Sequence, residues 1–127
     1  MPTAAQFDHA AGIFRSAQAD LNGLAGRFTV EGLSGGGLPG RLAARADAAD
    51  AERRRLAGQM LLYAEMCFER AAYIRMLEAQ WADYRAAERE RDKEYGQWVS
   101  GGKDGNFDFD MPDKPEKAPE WADINKG

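Results

Sequence analysis

The sequence predicts an all-α protein, a helical hairpin followed by a mostly irregular tail. Three observations carry that prediction. Helix formers dominate while Val and Ile are nearly absent, a mix that disfavours sheet. Two proline-free stretches repeat apolar residues at the alternating four- and three-residue spacing of packed helices. A glycine-rich interval separates those two stretches.

The first predicted helix covers about 3–28. Thr3 and Gln6 have the spacing of a capping box, and Pro2 and Phe7 stand where an apolar staple would sit. Phe7, Ala11, Phe14, Gln18, Leu21, Ala25 and Phe28 form its seam, with Gln18 the one polar member. The large seam residues Phe7, Phe14, Leu21 and Phe28 are the expected hairpin contacts. Gly12, Gly23 and Gly26 each weaken this helix by about 1 kcal/mol relative to Ala, so it depends on packing. Residues 29–40, with the run Gly35 to Gly37 and then Pro39-Gly40, read as the turn. No strand precedes them and no Lys-Ser/Thr pair follows, so a phosphate-binding loop is not indicated.

The long predicted helix covers about 41–96. Its opening is Ala-rich and polar, and Asp47 or Asp50 could cap a fresh start there, leaving room for a kink near 47–52. Leu56, Met60, Tyr63, Cys67, Ile74, Leu77, Trp81 and Tyr84 share one stripe, interrupted by Arg70. Leu62, Met66, Tyr73 and Met76 form a second, with Leu61 and Phe68 between the two. A helix apolar on so many sides must be covered on more than one. Toward its end Glu88–Arg91 and Glu90–Lys93 are spaced as ion pairs.

A tight hairpin about 29–40 would bring Phe7 level with roughly residue 60, leaving 61–84 beyond the reach of the first helix. Exposed, that stretch would make a patch unusual for a soluble monomer. Two answers are open: a kink near 47–52 that makes three helices and slides the first against 56–84, or, as the favoured expectation, another helical chain, either a second copy or a neighbouring-gene product. The interface candidates are Leu61, Leu62, Met66 and Phe68, continuing through Tyr73, Met76, Leu77 and Trp81. The division is therefore a helical hairpin domain at 1–98 and an acidic tail at 99–127. The tail has linker composition, yet Phe107, Phe109 and Trp121 are apolar islands of the kind that dock on a surface.

Charge and side-chain chemistry exclude more than they suggest. Residues 1–98 carry 13 basic and 14 acidic groups, and 99–127 carry 4 and 7, so neither part is built for nucleic acid. No run is long and apolar enough for membrane insertion. No cleavable signal peptide is read, so a cytoplasmic location is expected, with export open only to a route that uses no such signal. One cysteine and one histidine, Cys67 and His9, cannot build a catalytic triad or a metal site. The acidic pair Glu65 and Glu69 reads as solvated helix surface. Trp81, Tyr84, Tyr95 and Trp98 at helical spacing read as packing residues, not a cofactor box. No catalytic residue, cofactor, metal or small-molecule substrate is expected, and the chain is expected not to be an enzyme.

A helical hairpin of about this length, with a glycine-rich turn and Tyr84-Arg85-Ala86-Ala87-Glu88 near the end of its second helix, resembles the WXG100 (ESX) family. The resemblance covers 3–95 in outline and the tail not at all. The turn lacks the Trp-x-Gly of that family, the first helix is short for it and the second long. What the resemblance implies is a substrate or partner of bacterial type VII secretion, paired in a homo- or heterodimeric four-helix bundle. In that reading Tyr84 and Glu88 form the export motif. The alternatives from other classes are a structural component of a virion or other large assembly, with the tail laced into a neighbour, and a cytoplasmic helical adaptor or chaperone.

Overall fold

A computed structural model describes residues 1–24, 40–103 and 105–127. The described residues form two helices and no strand. Helix α1 is Ala4–Gly23 and helix α2 is Gly40–Ser100, 61 residues long. The chain divides into two compact units. One is Ala5–Arg70, a hairpin of α1 against the first half of α2, and the other joins Met1–Ala4 to Ala71–Gly127.

Helix α1 begins directly after Thr3, where the capping-box spacing placed its start. Its end differs from the expectation of 28. The helix stops at Gly23, and Leu24 is already in a turn whose amide donates to the Leu21 carbonyl at 3.2 Å. Gly23 supplies a residue of low helix propensity at the stop. The fourth seam residue, Phe28, lies outside the described residues, as does nearly all of the expected turn.

Helix α2 is uninterrupted through 47–52, where a kink had room to form. Asp50 does not cap a new helix. Its carboxylate is buried and pairs with Arg53 at 3.0 Å and with Arg54, one and the same turn ahead. Both guanidiniums hold the Asp50 carboxyl below the usual carboxylate range, the Arg53 hydrogen bond most of all. Arg53 also reaches the Leu21 carbonyl at 3.5 Å, a second donor to the carbonyl that accepts from the Leu24 amide at the end of α1.

Within the hairpin unit the register is set by three contacts. Phe14 and Tyr63 have ring centroids 5.4 Å apart, Arg15 lies 4.8 Å over the Phe68 ring, and Arg70 lies 5.8 Å over the Phe7 ring. Phe7 therefore faces Arg70, not residue 60 as a tight turn would have it. The connection between α1 and α2 is long enough to let α1 slide toward the middle of α2. The polar residue that interrupts the main stripe thus has a function in packing, because Arg70 stacks on an aromatic ring of α1. Ala46, Ala57, Ala64 and Cys67 of α2 are buried in this unit with Phe7 and Ala11 of α1. Small residues on both helices permit close approach.

In the second unit the tail packs along the second half of α2. Helix α2 ends in a Schellman motif. The Lys103 amide donates to the Trp98 carbonyl at 3.0 Å and the Gly102 amide to the Val99 carbonyl at 3.2 Å. Gly102 takes the left-handed conformation the motif requires, at φ +87°. The chain then turns back along α2. Ile74, Leu77 and Trp81 are buried with Ala71 and Ala122. Covering side chains of this size contributes about 1.5–3 kcal/mol each.

Candidate functional site

The C-terminal strap is anchored aromatic by aromatic. Phe107 packs against two rings of α2, 5.2 Å from Tyr95 and 5.8 Å from Trp98. The Trp98 indole N–H donates to the Gly105 carbonyl at 3.2 Å. Further along, Tyr73 donates its hydroxyl to Glu116 at 3.1 Å, and its ring lies 6.0 Å from that of Trp121. Desolvation and the Glu116 carboxylate both push the Tyr73 phenol above its ordinary pKa. A short turn closes where the Ala122 amide meets the Pro119 carbonyl at 3.2 Å, and the Asp123 amide donates to the Pro2 carbonyl at 2.8 Å. After that turn the chain reverses, bringing Lys126 5.3 Å over the Trp81 ring. The tail thus makes two passes over α2. Of the three expected docking residues, Phe107 and Trp121 have named ring partners and Phe109 is half-buried.

The candidate export residues sit inside this network. Tyr84 is half-buried with its ring edge-on to Trp81 at 5.8 Å. Glu88 pairs with Arg85 at 3.0 Å, and Arg85 also reaches the Lys126 carbonyl at 3.4 Å. The expected Glu88–Arg91 and Glu90–Lys93 pairs are replaced by Arg85–Glu88 and by Arg91 with Asp92.

The eight interface candidates separate into two groups. Leu77 and Trp81 are buried by the chain itself, at 1% and 5% exposure, and Leu61 and Tyr73 are half-covered. Leu62, Met66, Phe68 and Met76 remain exposed, Leu62 the most at 63%. Phe68 still carries Arg15 over its ring. In the hairpin unit Leu62 and Met66 lie on the side of α2 opposite to buried Ala57 and Ala64. The seam residues Phe7, Phe14 and Leu21 are buried or half-buried. What sequence reasoning did not assign is the reversal of the tail at 119–122. Its only signal was the spacing of Phe107, Phe109 and Trp121 among prolines.

Among the described residues no group of His, Cys, Asp or Glu side chains clusters as metal ligands would. Cys67 is buried as a free thiol, and His9 is exposed on α1. No helix among the described residues is long and apolar enough to cross a membrane.

No family model, curated protein or solved structure matches the chain. The two-helix hairpin is consistent with the general architecture of WXG100-like proteins and goes no further than architecture. The expected four-helix bundle is corrected: the described residues form two helices, and the tail packs along the second half of α2, where Ile74, Leu77 and Trp81 are buried. Type VII secretion and WXG100 membership have no support beyond that shared outline.

Proposed function

We propose that this chain is a non-enzymatic helical partner protein that binds another protein chain through the outer face of α2 around Leu62 and Met66. The observation that carries the proposal is the exposure of these two large apolar side chains at mid-helix, 63% and 40%, with the opposite face of the same turns packed on α1. Tyr63 and Phe68 are also part-exposed on this half of α2, at 42% and 37%, and together with Leu62 and Met66 they make an apolar surface of the kind that marks a contact. The chemistry of such a surface is that of helix-in-groove or helix-on-helix recognition.

A photo-crosslinking residue placed at position 62 tests it in the source cells. The expected result is a discrete protein adduct, absent when the same probe stands at Lys93 near the solvated end of α2. Equal, diffuse labelling from both positions would refute the assignment.

A further inference from the structure

The outer face of α2 in the hairpin unit carries more than two apolar side chains. Ala51, Arg55, Gly58, Leu62, Glu65 and Glu69 follow the four-three spacing of a helix seam, and every one of them is exposed. The charges along it are segregated. Arg55 lies on the N-terminal side of Gly58 and Leu62, with Arg54 beside it, and both acids lie on the C-terminal side. Arg55 is paired only with Glu52 one turn back, both half-exposed, and neither Glu65 nor Glu69 has an ion-pair partner among the described residues.

Gly58 opens a notch on this face. A Cβ built on it would meet nothing within 4 Å, so the space above it is free for a side chain from outside.

Resting on the binding surface proposed above, we infer that its occupant is a second copy of this chain, with the two α2 helices antiparallel and crossing near Met60. In that register Arg55 meets Glu65 of the second copy and Glu65 meets its Arg55, the reciprocity a two-fold contact requires. The same register drops each Leu62 onto the opposite Gly58, a large side chain over a residue with no side chain. It also places each Glu69 beside the opposite Ala51, one turn from Arg55 on one side and Asp47 on the other. A parallel pair would set Arg55 against Arg55 and Glu65 against Glu65, with like charges meeting at each step. Sliding an antiparallel pair by seven residues removes the Arg55–Glu65 contact and takes Leu62 off Gly58. The contact uses α2 alone, since the face opposite to it is committed to α1.

Sedimentation velocity on the full chain over a wide concentration range decides the matter, with three variants. Wild type should show a concentration-dependent monomer–dimer equilibrium. Gly58→Gln fills the space without adding apolar surface and should leave the protein monomeric with unchanged helical circular dichroism. Arg55→Glu turns two attractive contacts into two repulsive ones and should raise the dimer dissociation constant roughly tenfold, a size set by exposed pairs. Adding Glu65→Arg to it should restore most of the loss, which a general loss of folding would not allow. A wild type that stays monomeric, or a dimer indifferent to Gly58→Gln, overturns the inference. Those results leave the binding surface itself standing if the probe at position 62 gives an adduct to a different protein. An absent adduct removes both.

Discussion

Truncating Trp121 to alanine tests whether the tail is docked as one unit on the second half of α2. The indole is half-buried and lies 6.0 Å from the Tyr73 ring, and its neighbour Ala122 is buried at 3% exposure. Removing a fully buried aromatic costs about 3–5 kcal/mol, so a half-buried one should cost about 2, including an aromatic pair of ~0.5–1.5. The most direct assay is amide hydrogen exchange at Asp123, whose N–H donates to Pro2 at 2.8 Å and is protected only while the tail is seated. A loss of about 2 kcal/mol corresponds to roughly 30-fold faster exchange there. Amides in the hairpin unit, around Ala57 and Ala64, should keep their protection. Wild-type Asp123 exchanging at an unprotected rate would refute the strap outright. Protection at Asp123 that survives Trp121→Ala would show that the ring pair is not what holds it.

Four further outcomes follow from the same contacts. Leu77→Ala empties a site that is 1% exposed and should cost about 2–5 kcal/mol in urea unfolding, whereas Leu62→Ala, at an open position, should change stability by less than about 0.5. The Tyr73 phenol has its pKa raised in the folded state, so its contribution is full below the unfolded value and is lost as pH rises through the folded one. Tail protection should therefore fall at strongly alkaline pH, and Tyr73→Phe should remove that alkaline step. Asp50 has the opposite sign. Its folded pKa lies below 3.8, so its contribution is present above the unfolded value and is lost as pH falls through the folded one, an acid step that Asp50→Asn should abolish in pH-dependent thermal unfolding. Gly12→Ala meets nothing within 4 Å and should raise the unfolding midpoint, by up to about 1 kcal/mol of helix preference.

The elements were legible in the sequence because periodicity and capping are local. The Thr3–Gln6 spacing placed the start of α1, and the four-three stripes picked out Cys67, Ile74, Leu77 and Trp81, all of which are buried. The register was not legible. Spacing along a helix states which residues share a face and says nothing about how far a second helix slides along it. A long connection leaves that distance free, and Phe7 came to rest at Arg70 because a guanidinium over a ring and the Phe14–Tyr63 contact favour that position. Arg70 had looked like a defect in an apolar stripe for the same reason.

The tail was legible only in its docking residues, and the cause is physical. Residues 99–127 have the glycine, proline and charge content of a linker, and composition averages over the few side chains that decide docking. Phe107, Trp121 and Lys126 find Tyr95, Tyr73 and Trp81 because α2 presents those rings at intervals the tail can reach on its two passes. Of the expected interface residues, Leu77 and Trp81 are buried within the chain, whereas Leu62 and Met66 of the second stripe stay exposed. The surface that remains is smaller and carries opposite charges on its two sides. A partner that fits it is selected by charge order and by the space at Gly58 more than by apolar area, and substitutions at Arg55, Gly58 and Glu65 should therefore change association far more than they change folding.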